Sequence, residues 1–253
     1  MNAANNPVRH FLCALGYFTR IPIPGWVGYL PDDLDRAARY FPLVGVLIGL
    51  IAAAVFWLTH WLLPLRVALV LSMIATIWLT GAFHEDGLAD AVDGFGGGYT
   101  RERMLEIMHD SRIGSFGAIA LIAALLLKLE TLAALPLAQI AVALIAAHGF
   151  SRLVAVSLLA SLDYVRPAGK AKPVATRLAG GGLLLALVFG LAPLALLPPL
   201  WIGAALVAGL LVRFGVAAYL RKTLGGYTGD TLGMTQQLAE LACYLVWCAC
   251  ALH

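Results

Sequence analysis

Four carboxylates lie close together in residues 83–98, FHEDGLADAVDGFGGG, directly after a long apolar run. They are Glu85, Asp86, Asp90 and Asp93. On a helix the three aspartates project within about 60° of one another, with Glu85 to one side. Carboxylates on one stripe repel each other unless a cation lies between them, and all-oxygen ligands suit Mg²⁺, which often bridges to substrate phosphates. The stretch therefore predicts a diphosphate-handling Mg²⁺ site with these four residues as metal ligands.

The same stretch has a plainer interpretation as two turns in a solvated loop, because Asp-Gly is a common turn pair and occurs twice. Two features favour the metal site instead. The D-x-x-x-D-x-x-D spacing is helical, and charge beside an apolar span is costly. The glycines that follow, including Gly97 and Gly98, offer backbone N–H groups to a phosphate and are candidate substrate-binding residues.

The composition places this acidic stretch in a membrane protein. Of the 253 residues, 61% are hydrophobic and 12% are charged, and the mean hydropathy is +0.88. These values indicate a polytopic protein whose first partner is the lipid bilayer. The net charge of +3 includes no dense basic run, which argues against nucleic acid as a partner. The four cysteines have no metal-ligand spacing.

Apolar runs predict the elements that must position the acidic stretch. We expect an all-α, polytopic transmembrane bundle of about seven spans, preceded by an N-terminal interfacial segment around YFTRIPIP (17–24). Residues 1–253 would form a single membrane domain. The predicted spans are 43–63, 67–83, 114–135, 138–160, 180–198, 200–220 and 237–252.

Positive charges predict the orientation of the bundle. Arginine and lysine cluster in the segments that share a side with the N-terminus, whereas the opposite turns contain only Arg66. The N-terminus should therefore be cytoplasmic, together with active-site loops at about 84–113 and 221–236. Lys128 lies near an outer helix end and is expected to extend to the membrane surface.

Several kinds of membrane protein use such acidic stripes. Prenyltransferases activate a diphosphate with paired aspartate motifs and Mg²⁺. The D-x-x-D-G-x-x-A-R pattern of CDP-alcohol phosphotransferases begins at Asp90, but Gly97 and Gly98 stand where Ala-Arg is required. A transporter would suit an intramembrane Arg152 and a helix broken near Pro193, although the acids lie at one face and no internal repeat is visible.

The string HEDGLADAVDG (84–94) resembles the signature of the cobalamin synthase family, the adenosylcobinamide-GDP ribazoletransferases. Four further strings resemble motifs of that family in the same order, so the resemblance runs along most of the chain. They are YFTRIPIP (17–24), FPLVGVLIG (41–49), DSRIGSFG (110–117) and GGYTGDTLG (225–233). Tyr17 and Met234 are departures from the commoner family residues, and neither is a charged position.

The resemblance implies a Mg²⁺-dependent enzyme of the bacterial cytoplasmic (inner) membrane. α-Ribazole, or its 5′-phosphate, would attack adenosylcobinamide-GDP, giving adenosylcobalamin, or its 5′-phosphate, and GMP. A homo-oligomer and association with other corrinoid-assembly enzymes are both left open. What the residues themselves indicate, Mg²⁺ and a diphosphate at the cytoplasmic face, agrees with this chemistry.

Roles for individual side chains follow from the needs of phosphoryl transfer, which are charge neutralisation and alignment. Arg112 is the best-placed cation for the leaving GMP, and its alternative is a positive anchor before a span. Asp110 would orient Arg112 or contact the ligand. His84 is a candidate for accepting the proton of the attacking hydroxyl, although a single histidine is more often structural.

His148 and Arg152 lie four residues apart in the fourth predicted span, on one helix face. An arginine within a span is rare and usually paired, so Arg152 is expected to face a substrate phosphate or a metal-site carboxylate, with His148 beside it. The alternative is an interhelical ion pair. Arg20 and Asp230 are further substrate-binding candidates, and Asp230 could equally belong to a plain inter-helix turn.

Overall fold

The computed structural model describes residues 6–28, 33–165, 178 and 181–252. Within these ranges the regular structure is helical, apart from one isolated parallel bridge between Tyr164 and Tyr227. The predicted all-α class is thereby confirmed. The helices are α1 (Pro7–Phe18), α2 (Asp33–Ala37), α3 (Phe41–His60), α4 (Leu65–Thr80), α5 (Phe83–Gly97), α6 (Arg101–Ile107), α7 (Ser115–Ala133), α8 (Leu137–Ser157), α9 (Gly182–Leu191), α10 (Pro199–Thr223) and α11 (Gly229–Cys250).

Helices α8 and α11 form the centre of the bundle, since most of their side chains are buried. Helix α3 packs along α8, while α5 and α10 pack against α11. Small residues allow the closest approach, because Gly45 and Gly49 of α3 lie directly on the α8 backbone. A Cβ at Gly49 would lie 2.6 Å from the Cα of Ile145, and one at Gly45 would collide with the carbonyl oxygen of His148. This is the small-residue packing expected between membrane helices.

About seven spans were predicted. In the described part of the chain, four helical stretches are long and apolar enough to cross a membrane, namely 33–60, 115–133, 137–160 and 199–223. A fifth exists if the bent pair α4–α5 counts as one span, and the apolar stretch Gly182–Leu196 is shorter. The last predicted span, 237–252, is part of α11, which is not among the candidates and contains Asp230 and Glu240.

A sharp break separates α4 from α5. Gly81 and Ala82 both adopt left-handed backbone angles, with φ of 65° and 58°, and the two helices meet at 85°. Glycine adopts this conformation at little cost, whereas an alanine is strained there. The second predicted span, 67–83, therefore ends at this bend, and the chain resumes as helix at Phe83 in a new direction.

Two segments predicted as loops contain helix. Residues 84–113 fold largely into α5 and the short α6, which leaves a loop between Met108 and Gly114. Residues 229–236 belong to the first turns of α11, where Thr228 and Thr231 form a reciprocal capping box. Helix α11 begins there because its first N–H groups are satisfied by this cap.

Candidate functional site

The predicted acidic residues of helix α5 differ in their exposure to solvent. Asp86 is exposed, Asp90 is half-buried and Asp93 is buried. Glu85 points away from this stripe, and its Oε1 accepts a 3.1 Å hydrogen bond from Nε2 of Gln237 on α11. The helical interpretation of the spacing is therefore confirmed, whereas the loop interpretation is wrong.

Asp93 caps the N-terminus of α7. One carboxylate oxygen accepts from the amide of Gly114 at 2.7 Å and the other from the amide of Gly117 at 2.8 Å. These amides have no partner within their own helix, and the negative charge lies at the positive end of the helix dipole. Asp93 thus has a structural contact that its sequence position alone did not reveal, and its role as a metal ligand stays a prediction.

The start of α11 lies against the same helix. Gly87 of α5 faces Gly233 closely enough that a Cβ at Gly87 would lie 3.2 Å from the Cα of Gly233 and 3.0 Å from the carbonyl oxygen of Asp230. These glycines let the two backbones touch. Asp230, in the first turn of α11, is thereby brought beside the helix that carries Asp86 and Asp90.

A cavity of about 490 Å³ opens at the C-terminal end of α5. Its lining carries charges of both signs, with Arg103, His109 and Arg112 beside the acids Asp93, Glu106 and Asp110. Arg103 pairs with Glu106, and Gly97 contributes from α5. Its volume lies in the range of ligand pockets. Gly98 is not among the lining residues, because it is buried against α6, where a Cβ would lie 2.7 Å from the amide nitrogen of Met104.

Asp110 and Arg112 form a local pair at the rim of this cavity. Nε of Arg112 donates to Oδ1 of Asp110 at 3.1 Å, and a terminal guanidinium nitrogen donates to Oδ2 at 2.6 Å. Hydrogen bonds from Arg112 lower the pKa of Asp110 to about 2, so the carboxylate stays ionised at neutral pH. The expectation that Asp110 orients Arg112 agrees with this geometry.

Arg20 lies at the bend between α4 and α5. Its amide donates to the carbonyl of Leu79 at 2.8 Å, and its guanidinium lies beside Gly81, where a Cβ would be 3.0 Å from Nε. The side chain is exposed. Arg20 is therefore close to the start of the acidic helix but outside the lining of the large cavity.

His148 and Arg152 lie in the interior of the bundle. Arg152 is 3% exposed, and a terminal guanidinium nitrogen donates to the carbonyl of His148 at 2.9 Å. The hydrogen bonds that the structure gives its guanidinium are with His148. The expectation that Arg152 faces a substrate phosphate or a metal-site carboxylate stays a prediction.

The sequence interpretation missed the carboxylate at the centre of the bundle. Glu240 of α11 pairs with Lys128 of α7 and lies 3.5 Å from Nδ1 of His148. It also accepts from Gln236 at 2.6 Å and from the hydroxyl of Tyr244 at 3.2 Å. The expectation that Lys128 extends to the membrane surface is wrong, because an intramembrane ammonium is stabilised by this buried partner. The sequence signal that could have revealed it is the four-residue spacing of Gln236, Glu240 and Tyr244, which places three polar groups on one face of a largely apolar helix.

The donor set fits Mg²⁺ held jointly with substrate. Among the described residues no three His, Cys, Asp or Glu side chains converge on a metal position. Mg²⁺ in phosphate-handling sites is commonly held by one or two carboxylates, waters and the phosphates themselves. Asp86 and Asp90 lie one turn apart on the open face of α5, which suits that arrangement. The predicted site of four protein ligands is not preassembled in these ranges.

Fold and site together define a polytopic α-helical membrane protein in which the helix that carries the acidic residues also lines a polar cavity. A family model described as "Cobalamin-5-phosphate synthase" matches residues 10–248, and the chain belongs to that family, whose members are transferases of cobalamin synthesis. No solved structure matches the chain.

Similar proteins from three bacteria are all named adenosylcobinamide-GDP ribazoletransferase. The relative from Ralstonia pickettii is 53% identical over 244 residues, covering 95% of both chains. The one from Shewanella frigidimarina is 48% identical and covers 93% of this chain and 92% of its own. The one from Leptothrix cholodnii is 48% identical and covers 98% of both chains. Each relative is thus similar along nearly its whole length.

Proposed function

We propose that this protein transfers the cobinamide phosphoryl group of adenosylcobinamide-GDP to α-ribazole or α-ribazole 5′-phosphate, in a Mg²⁺-dependent reaction at the cytoplasmic face of the inner membrane. The observation that carries the proposal is the position of Asp86 and Asp90 on α5, directly before the cavity at its C-terminal end, whose lining includes Arg103 and Arg112. The names of the relatives supply the substrates.

The reaction exchanges one phosphorus–oxygen bond for another. A hydroxyl oxygen of the ribazole forms a bond to the phosphorus attached to the cobinamide side chain. The bond from that phosphorus to the bridging oxygen breaks, and GMP leaves with the electron pair. The hydroxyl proton passes to a base or to solvent, so the protein must chiefly align the groups and neutralise their charge.

The charged residues divide this work. Asp86 and Asp90 would hold Mg²⁺ against the diphosphate, and the ion would supply charge stabilisation to the oxygens that gain charge. Asp230, in the first turn of α11, would contact the substrate on the same side of α5. Arg103 and Arg112, at the 490 Å³ cavity, offer guanidinium groups that match phosphate oxygens of the departing GMP.

His84 is the candidate to accept the hydroxyl proton. Its ring is buried and stacks on Phe18 with a centroid distance of 5.3 Å, so its orientation is fixed. It lies two residues before Asp86 on α5 and faces the bundle interior while Asp86 faces outward, so the hydroxyl would approach His84 from the N-terminal end of the helix. A fixed base near the reacting hydroxyl is what general base catalysis requires.

The test is release of GMP from adenosylcobinamide-GDP by purified protein in lipid nanodiscs, with α-ribazole or its 5′-phosphate as acceptor. We expect GMP release with Mg²⁺ and none after chelation. Asp90→Asn should reduce turnover by about a hundredfold or more, as loss of a major electrostatic contact does. Glu102→Gln, an exposed acid of α6, is the matched control and should keep normal activity. Turnover by Asp90→Asn near the wild-type rate would refute the metal site, and absence of GMP release from the wild type would refute the function.

A further inference from the structure

A second, smaller cavity lies at the opposite end of α5, between α1, α3, α5, α8 and α11. Its walls are largely aromatic, with Tyr17 and Phe18 from α1, Phe41 from α3, and Phe83 and His84 from α5. The rings are mutually ordered, since Tyr17 stacks on Phe41 at 5.9 Å and Phe18 packs edge-on against Phe41 at 4.5 Å. Such a slot suits a flat aromatic ring.

Two buried polar side chains that line this apolar space each have one atom without a hydrogen bond among the described residues. Arg152 and Gln236 both line the cavity and are 3% and 1% exposed. Within the described part of the chain, Nε of Arg152 and Oε1 of Gln236 make no hydrogen bond. Leaving a buried donor or acceptor unpaired is unfavourable, so a bound molecule that pairs with these atoms gains affinity. The cavity therefore combines apolar walls with one donor and one acceptor, the pattern of a ligand site.

We propose that this aromatic cavity binds the base of the acceptor nucleoside, a planar and largely apolar benzimidazole-type ring with one acceptor nitrogen. The inference rests on the proposed function and assigns a separate compartment to one of its substrates. The ring would stack among Phe18, Phe41 and Phe83, and its free ring nitrogen would accept from Nε of Arg152. Gln236 would accept from a water carried with the ribose.

Hydrogen-bond chemistry favours this ring over the guanine of the donor. Guanine has several donors and acceptors on its edge, and most would be buried unpaired between phenylalanine rings. A benzimidazole has one ring acceptor and no polar edge to satisfy. The polar cavity at the other end of α5, with Arg103, His109 and Arg112, suits the guanosine phosphate instead.

The cavity and the acidic residues lie along the same helix. His84 lines the aromatic cavity, Asp93 and Gly97 line the large one, and Asp86 and Asp90 come between them in the chain. His84 is buried and Asp86 is exposed, so the two face different sides of α5, and His84 and Asp90 are roughly 9 Å apart along the axis. The ribose would therefore extend from the aromatic cavity around the N-terminal end of α5 to bring its hydroxyl to the acidic face.

The cavity is narrow. Its free volume is about 30 Å³, which is room for one or two waters. Binding must therefore part the rings that α1, α3 and α5 contribute. The ring would displace water from an apolar slot, which favours binding.

The test is a substitution that fills the cavity with an apolar side chain and leaves every charged residue unchanged. Ala155 lines it, and Ala160 lies five residues further along and is exposed. Ala155→Leu should weaken α-ribazole binding, measured by calorimetry on nanodisc-embedded protein, by about tenfold or more, with Ala160→Leu as the matched control. The KM for α-ribazole should rise by a similar factor, while the KM for adenosylcobinamide-GDP stays within about twofold. Benzimidazole alone, as a competing probe, should inhibit the wild type and lose that effect in Ala155→Leu.

Other outcomes would overturn the assignment. If Ala155→Leu binds α-ribazole as the wild type does, or if it weakens GMP binding instead, the base does not occupy this cavity. Should Ala155→Leu fail to fold, Leu232→Phe narrows the cavity from α11 and is judged by the same criteria. Wild-type protein that releases GMP while these variants keep a normal KM for α-ribazole would refute the cavity assignment alone. A wild type without GMP release would refute the function itself.

Discussion

The carboxylate of Asp93 accepts a 2.7 Å hydrogen bond from the amide of Gly114, which joins the end of the acidic helix to the start of α7. A second bond from Gly117 completes the cap. Neither glycine has room for a side chain, because a Cβ at either position would collide with the Asp93 carboxylate. The contact fixes part of the wall of the 490 Å³ cavity, because Asp93 and Gly114 both line it.

Substitutions of Asp93 and Asp90 should therefore affect different properties of the protein, the first its stability and the second its turnover. Asp93→Ala removes the cap of α7 and should lower the free energy of unfolding by about 1–2 kcal/mol. Asp90→Ala should abolish Mg²⁺-dependent turnover even in the folded fraction. Thermal unfolding of both proteins in detergent, followed with GMP-release assays on the folded fraction, separates the two effects. An Asp93→Ala protein of wild-type stability would contradict the capping role.

Gly45 should not tolerate even a methyl group. Gly45→Ala places a Cβ against the carbonyl oxygen of His148, which is tied to Arg152, so α3 and α8 must separate. Overpacking of this kind costs about 1–3 kcal/mol. Gly203→Ala on α10 is the control, since its Cβ meets nothing within 4 Å and a helical alanine gains up to about 1 kcal/mol over glycine. The two melting temperatures should shift in opposite directions, and equal shifts would exclude a packing role for Gly45.

The buried pair of Glu240 and Lys128 should matter far more than the exposed pair of Glu130 and Arg66. Glu240→Gln leaves the Lys128 ammonium without its anion in the apolar interior and should cost about 3–5 kcal/mol. Glu130→Gln removes an ion pair whose side chains are more than half exposed and should cost at most about 1 kcal/mol. Chemical denaturation of the two variants in detergent tests the contrast. Similar losses in both would mean that Lys128 has another anion in the membrane.

Short-range pattern was enough to predict much of this molecule. The helical spacing of Asp86, Asp90 and Asp93 follows from local periodicity, and the all-α class follows from apolar runs, so both were readable from the sequence. The pairing of Asp110 with Arg112 is also local, since the two residues are two positions apart.

Long-range contacts were not readable in the same way. The contact from Asp93 to Gly114 spans 21 residues, and that from Gln237 to Glu85 spans 152, so neither leaves a periodic signal. The bend at Ala82 was hidden because alanine is an ordinary helix former, and tertiary packing overrides that preference. Glu240 was overlooked because its partner Lys128 lies on another helix.

The last prediction is that the N-terminus and the acidic helix α5 lie on the cytoplasmic side of the membrane. Cysteine labelling tests it, and the exposure of each residue determines which positions can be labelled. Position 228 is unsuitable for labelling, because Thr228 is fully buried and caps α11. Tyr99→Cys and Lys222→Cys place thiols at exposed positions on the side predicted to be cytoplasmic, and Leu62→Cys places one on the opposite side. The native cysteines are first replaced by alanine: Cys13, Cys243, Cys248 and Cys250. In intact cells an impermeant maleimide should label the variant at position 62 only, whereas all three should react after the membrane is opened. We expect this labelling pattern because segments rich in arginine and lysine stay on the cytoplasmic side of a membrane. Labelling at 99 or 222 from outside would invert the bundle and place the acidic face of α5 on the outer surface.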